Sequence, residues 1–364
     1  MNTIQEMIVK QVPAKPTSFR TSAAGAARLA WIDLAKGIGI ALVVIGHACA
    51  EASSIGAHYT CDTIYLFHMP LFFIVAGYLA KAGPIKEYPQ QRLHALIVPY
   101  LCYLFVIGIP VAMGTHQLHG RSAWFEFALY FYGGQHLVTY MTVFWFVTCL
   151  FFAQIIFRAM LRISTSPYDW RILGIIAVCC LYSYGFLPKH NVITPLAVGV
   201  VPMAVVFLWF GQVYRSVENR SLAVIGACLI AMVGLSFYLQ DFPLYRLDMK
   251  SGKFGPLFPG LSSAVALSFL LFELCKRFAA NKSLVACITP FGQASLTIMF
   301  LAEPIRRLLL QAGIPAAATI VAALVVPVIL HKLFEKNELL GRLFLGQRMP
   351  RAVSPLQPGI ASRQ

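Results

Sequence analysis

Charge is what this sequence has least of. Of its 364 residues only 12% are Asp, Glu, Lys or Arg, about half of the roughly 25% that a soluble chain carries. Acids are the scarcer sign, 14 against 29 bases. No stretch between apolar runs is long enough to fold as a separate soluble domain. The nine cysteines include no CxxC pair. They sit singly in apolar segments, apart from adjacent Cys179 and Cys180, and read as buried thiols acting as small hydrophobes. Cys49 and Cys61 flank the first outer loop, where an oxidising compartment permits a disulfide. The segment before Trp31 lacks the short apolar core and small-residue cleavage site of a signal peptide, so the first apolar run is read as retained. No internal repeat of the kind found in inverted-repeat transporters is visible.

What is present is hydrophobic: 59% of residues, with a mean hydropathy of +0.72. Apolar runs long enough to cross a hydrocarbon layer of roughly 30 Å recur along the whole chain. The expected fold is all-α, a polytopic transmembrane bundle of about ten spans, near 31–50, 63–80, 93–113, 140–158, 171–188, 192–214, 221–240, 255–275, 284–302 and 313–331. It divides into an N-terminal arm (1–30), the membrane domain (31–333) and a C-terminal tail (334–364) that turns Pro-, Arg- and Ser-rich and irregular after Gly346.

The net charge of +15 raises the question of a polyanionic partner. Placement answers it. Most bases fall on one set of alternate loops, and only Arg121, Lys189, Arg246, Lys250, Lys253, Arg306 and Arg307 fall on the other. That asymmetry is the positive-inside bias and puts both termini in the cytoplasm. Nucleic acid is not needed to explain the charge. The outer segment 114–139 contains RSAWFEFALYFYGG, too short to span, which lies along the outer interface or re-enters as part of a cleft.

Ionisable residues inside spans are where chemistry is sought, because a charge at mid-bilayer costs on the order of 3 kcal/mol or more. The first span, WIDLAKGIGIALVVIGHACA, holds Asp33, Lys36 and His47. Asp33 and Lys36 are one turn apart and can pair or meet a charged ligand. His47 is eleven residues beyond Lys36, about three turns or roughly 16 Å along the axis, which returns it to the same face. Gly37, Gly39 and Gly46 narrow the helix so that another helix or a long ligand can approach. His68 lies at the outer start of the second span, within reach of His47 on an antiparallel neighbour. Imidazole suits removal of a hydroxyl proton at neutral pH, and no further cluster completes a metal shell. Trp124, Trp145, Tyr130, Tyr132 and Tyr140 are candidates for stacking on sugar rings, or for an interfacial aromatic belt.

These residues resemble a known family. DLAKGIGIALVVIGH and FHMPLFFIVAGYL are similar to the first two hallmarks of the membrane-bound acyltransferase-3 group, within it the fucose 4-O-acetylase-like branch. QQRLHALIVPY resembles its cytoplasmic basic motif, and FWFVTCLFF around Trp145 and FGQASLTIMFLAEPI its later landmarks. The resemblance implies a ten-span protein of the bacterial inner membrane that takes acetyl from cytoplasmic acetyl-CoA, without a metal, and places it on an extracytoplasmic glycan. The expected acceptor is an exopolysaccharide or O-antigen repeat unit on a polyprenyl lipid, with polysaccharide assembly machinery as a partner. It implies His47 as the catalytic histidine, Lys36 where arginine is usual, and Arg92 as the first arginine of the basic motif, whose second is Ala95. Ala302 stands where the family often has a histidine, and the following Glu303 either compensates or accompanies a different acceptor. The resulting expectation has His47, Asp33 and His68 catalytic, Lys36 and Arg92 on coenzyme A, Trp145 and Glu303 on the acceptor, and the donor arm entering beside the glycine face of the first span. The same buried Asp33, Lys36 and His47 would also suit a transporter or flippase of a glycan or acidic substrate.

Overall fold

A computed structural model of the chain describes residues 23–51, 54–190, 193–218, 222, 225–226 and 247–347. The named elements of the described residues are all helices, joined by turns and loops, with one isolated antiparallel bridge between Asp248 and Lys253. Among them, eight helical runs are long and apolar enough to span a membrane, and a ninth is a sharply bent pair. The chain is therefore an all-α polytopic bundle. The expected span at 221–240 falls almost wholly outside the described residues, as do arm residues 1–22 and tail residues 348–364.

Helix α1 (Ala23–Cys49) forms the centre, and its apolar residues Ile32, Leu34, Ala35, Ile40, Val43 and Val44 are buried. The second expected span is not one helix: α2 (Ile55–Tyr65) and α3 (His68–Leu79) meet at a break over Leu66 and Phe67. Pro70 supplies the reason, since it has no N–H to give to the carbonyl four residues back, that of Leu66. The break places His68 in the first turn of α3, where its Nδ1 donates to the exposed end of α2 at Ile64 O (2.9 Å).

Next come α4 (Tyr88–Arg92), a π-helical turn over Leu93–Ile97 and α5 (Val98–His119). The outer helix α6 (Ala123–Tyr132) starts on Ser122, whose hydroxyl accepts from the Phe125 amide (3.2 Å), and ends at Gly133 with φ of 77°. Then follow α7 (Trp145–Ile163), α8 (Trp170–Leu181), α9 (Leu187–His190) and α10 (Val201–Ser216). Helix α3 crosses α10 backbone to backbone, because a Cβ on Gly77 or Gly211 would strike the facing main chain. Gln212 Nε2 donates to Gly77 O (2.6 Å) and Ala80 O (3.0 Å), satisfying the last carbonyls of α3.

Helix α11 (Leu257–Phe278) precedes the expected ninth span, which is also broken. Its parts, α12 (Lys282–Gln293) and α13 (Ser295–Gln311), meet at 74°. The direction of α12 is fixed by α1: a Cβ on Gly292 would run into the Asp33 carbonyl, and one on Gly37 would meet Ile288. The seam therefore holds α12 along the inner half of α1 while α13 turns away toward the outer end. Gly292→Ala has no side-chain end to displace, only backbone. Its expected cost is about 1–3 kcal/mol or more, read as a lower unfolding temperature in detergent, whereas Gly174→Ala, in open space, leaves that temperature unchanged.

The seam also settles what fills the glycine face. Gly37 abuts α12, Gly39 meets Leu71 and Phe72, and Gly46 meets Ile64 and Tyr65. Helices occupy the narrow side, so the expected entry of the donor arm beside these glycines has no room there. Last are α14 (Ala316–Glu335) and α15 (Glu338–Leu345). The segment expected as the tail thus opens with a helix, docked by Phe344 on Tyr103 (ring centroids 5.1 Å) and Phe334 (5.0 Å). Gly346, at φ of 64°, closes against the backbone of His94 and Ala95.

Candidate active site

Two cavities lie in line along α1, α3 and α7. The inner one, about 360 Å³, is lined by Lys36, Arg92 and Gln154 and by apolar residues including Phe72, Val75, Ala76, Leu79, Phe146 and Leu150. The outer one, about 420 Å³, is lined by His47, Tyr65, His68, Met69, Thr142, Trp145 and Lys250. On α3 the wall residues 68, 69, 72, 75, 76 and 79 follow the i, i+3, i+4, i+7 spacing of one helix face. On α7 the division falls between neighbours, with Trp145 facing outward and Phe146 inward. Phe72 and Phe146, in the wall of the inner cavity, stand next along their helices to Met69 and Trp145 in the wall of the outer one, and their rings pack together: Phe72 to Phe146 at 5.9 Å and Phe73 to Phe146 at 4.8 Å between centroids.

The inner cavity brings together Lys36 and Arg92, from different spans. Lys36 Nζ is 2.8 Å from Asp33 Oδ1. Arg92 Nη1 donates to Gln154 Oε1 (3.4 Å), its guanidinium stacks 5.0 Å from the Tyr88 ring centre, and its buried Nε has no hydrogen-bond partner among the described residues. Two cations beside an apolar channel fit a ligand with an anionic head and an uncharged arm. Asp33, expected to act with the histidines, instead belongs with Lys36. It is fourteen residues and about 21 Å of helix from His47.

The outer cavity brings together His47, His68 and Trp145. The Tyr65 ring stands between the imidazoles, 6.2 Å from His47 and 4.7 Å from His68 between centroids. His68 is buried, and because Nδ1 donates to Ile64 O, a neutral ring carries its lone pair on Nε2. His47 is half-buried, and the fields of Glu303, Arg306, Arg307 and Lys250 reach it. Glu303, buried on α13, accepts from Arg306 Nη2 (2.8 Å) and Nε (3.0 Å) and from Arg307, and both arginines also reach Glu51. Glu303 thus faces His47 from within a balanced ionic cluster. Its neighbour Ala302 is buried in the apolar core.

Of the aromatic candidates only Trp145 lines this cavity. Trp124 is 78% exposed, Tyr130 is on the buried side of α6 itself, the Tyr132 hydroxyl donates to Ile193 O (3.3 Å), and Tyr140 accepts from Gln311 (2.8 Å). Within 114–139, α6 exposes Trp124, Phe125, Phe131 and Tyr132 while Tyr130 and Phe127 pack inward, and beyond it Gln135 and Val138 line the cavity. No disulfide joins Cys49 and Cys61, and Cys61 Sγ lies 3.8 Å from Gly46 O. Among the described residues no group of three His, Cys, Asp or Glu converges as a metal site would require.

Sequence reading missed Tyr65, Glu51, Arg306 and Lys250. The arginines and Lys250 were visible only as the minority of bases on the outer loops, and nothing in their spacing pointed inward.

A family model described as an acyltransferase domain matches residues 29–332. Nodulation protein NolL of Mesorhizobium japonicum is 35% identical over 86 residues, a stretch covering 21% of this chain and 22% of that protein, so the similarity spans about a fifth of its length. No solved structure matches.

Proposed function

We propose, from the premise that this chain belongs to the acyltransferase-3 family and is a multi-pass membrane acyltransferase, that it carries acetyl from cytoplasmic acetyl-CoA to a hydroxyl of a glycan on the far side of the bacterial inner membrane. The observation that carries the proposal is the pair of aligned cavities, one with Lys36 and Arg92 at the basic end of the bundle and one with His47 and His68 at the other. The positive-inside bias makes the basic end cytoplasmic, the side on which a nucleotide thioester is made.

Each chain residue then has a task. Lys36, steadied by Asp33, and Arg92 hold the phosphates of the donor. The apolar wall of α3 and α7 guides the uncharged arm toward Phe72 and Phe146, which separate it from outer water until they part. His47 takes the proton of the attacking hydroxyl, and Glu303 stabilises the imidazolium that results. Trp145 offers a face for a sugar ring. His68 orients the acceptor hydroxyl or Tyr65, holding its own position through Ile64 O.

The donor site is tested by Lys36→Ala and Lys36→Arg, assayed as acetyl transfer from labelled acetyl-CoA in nanodiscs. Removing a charge-assisted contact is worth about 1.5–3 kcal/mol, so Lys36→Ala should raise the KM for acetyl-CoA by about tenfold or more, and Lys36→Arg should retain most of the binding. Equal loss in both variants would remove charge as the reason for Lys36. Passage of an unmodified glycan through the wild-type protein, with no transfer, would instead favour the transporter reading.

A further inference from the structure

The turn at 247–254 brings Lys250 to the outer cavity and Lys253 to a smaller cavity beside it, and acyl transfer as described uses neither. Backbone bonds between Asp248 and Lys253 (2.8 and 3.0 Å) close it, and Gly252 at φ of 68° supplies the left-handed residue it needs. Lys250 sits in the wall shared by the His47 cavity and a neighbouring cavity of about 130 Å³, which is also lined by Gly134, Gln135, Gly252 and Lys253. Its ammonium donates to Leu137 O (2.5 Å) and the Thr142 hydroxyl (3.2 Å). Both acceptors are neutral, and an ammonium has a third proton to give.

The surrounding charges leave Lys250 in surplus. Asp248, the acid of its own turn, accepts from the Ser251 hydroxyl (2.7 Å) and amide (3.3 Å); its field reaches Lys250, but among the described residues the two make no direct salt bridge. Across the cavity, Glu303 and Glu51 are matched by Arg306 and Arg307. The loop lies outside the membrane-spanning segments, and burial still pushes the Lys250 pKa down to about 8. A half-buried cation with only a distant carboxylate to balance it is costly, and an anionic group on a ligand would offset that cost.

We propose that this turn is an anion subsite for the acceptor. Lys250, with Lys253 at its rim, holds an anionic oxygen group, either a carboxylate of an acidic sugar or the diphosphate of a lipid-carried glycan, while a nearby hydroxyl faces His47. The inference rests on the acyltransferase reading and adds the acceptor's charge to it.

Full-length protein in nanodiscs, given labelled acetyl-CoA, is assayed with three acceptors: a neutral oligosaccharide, the same oligosaccharide bearing a uronic carboxylate, and the neutral oligosaccharide on a prenyl diphosphate. The wild type should prefer one charged acceptor over the neutral one by about tenfold or more in kcat/KM, and which one identifies the source of the anion. Lys250→Gln, which keeps amide donors for Leu137 and Thr142, should shrink that preference to near unity, and Lys250→Arg should preserve it. The groups facing Lys250 are His47, His68, Tyr65, Asp248, Lys253 and, behind His47, Glu303 with its arginines. Its lowered pKa keeps it charged below about pH 8, so the wild-type preference should fade as pH rises through 8 and persist in Lys250→Arg. Equal use of neutral and charged acceptors, or a Lys250→Gln variant that slows all three in proportion, would overturn the subsite. Failure of every acceptor to gain label would overturn the acyltransferase reading itself.

Discussion

Replacing His47 with alanine is expected to reduce acetyl transfer by about 10²- to 10⁴-fold, the usual contribution of a positioned general base, while leaving the protein folded. The two halves of this expectation come from different observations. His47 is half-buried against a cavity of about 420 Å³ and, among the described residues, makes no hydrogen bond that holds two helices together, so truncation removes a ring that borders the cavity. The chemical half follows from what surrounds it: a second imidazole, an indole face and a buried carboxylate whose field reaches it. His68→Ala makes the contrast. It removes a buried ring and one of the donors to Ile64 O, which the Phe67 amide (3.2 Å) shares, so it should lower thermal stability as well as activity. The measurement is mass-spectrometric detection of acetylated glycan, normalised to folded protein in detergent. A His47→Ala enzyme that retains a tenth or more of wild-type transfer would remove His47 from proton transfer.

How much of this was readable beforehand depends on whether a property belongs to one helix or to several. The Lys36 to His47 face was legible because eleven residues make three turns within a single helix, and both residues do line cavities on the same wall. The meeting of Lys36 with Arg92 was reached only through resemblance to a family, since they come from different spans. The glycines of α1 were legible as a narrow side but not as a packing seam, because what fills a groove is decided by the partner, here Gly292 and Ile288 of α12. Two expected straight spans proved broken. The break at Leu66 and Phe67 has its cause written three residues later in Pro70, whereas the 74° bend before Ser295 follows from packing against α1. Lys250 was the least legible, since a turn has no periodicity to show where a side chain points.

The cavities also explain why the charged residues of the two ends differ in kind. At the inner end Lys36 and Arg92 keep unspent donors, Arg92 Nε among them, as the proposed donor site requires. At the outer end Arg306 and Arg307 are paired with Glu303 and Glu51, and the proposal gives contact with the acceptor to the imidazole and Lys250. The ionic cluster is therefore the rigid backing of the outer site, and its rigidity comes from burial: Glu303 is 4% exposed and Arg306 3%.

Breaking that cluster should have the second large effect. Glu303→Ala leaves the Arg306 guanidinium buried with only Glu51, whose side chain is 34% exposed. Removing one partner of a buried pair typically costs about 3–5 kcal/mol, because the remaining charge is uncompensated. The single variant should therefore unfold well below the wild-type temperature and accumulate poorly. Adding Arg306→Met removes the stranded charge, and replacing both partners by apolar groups is often close to neutral, so the double variant should regain most of the lost stability. Activity separates backing from chemistry. If Glu303 stabilises the imidazolium formed on His47, the double variant stays slow at matched folded protein, with kcat lowered more than acceptor KM is raised. A stable double variant with wild-type kcat would make Glu303 a purely structural partner of Arg306, and His47 would then have to work without a facing carboxylate.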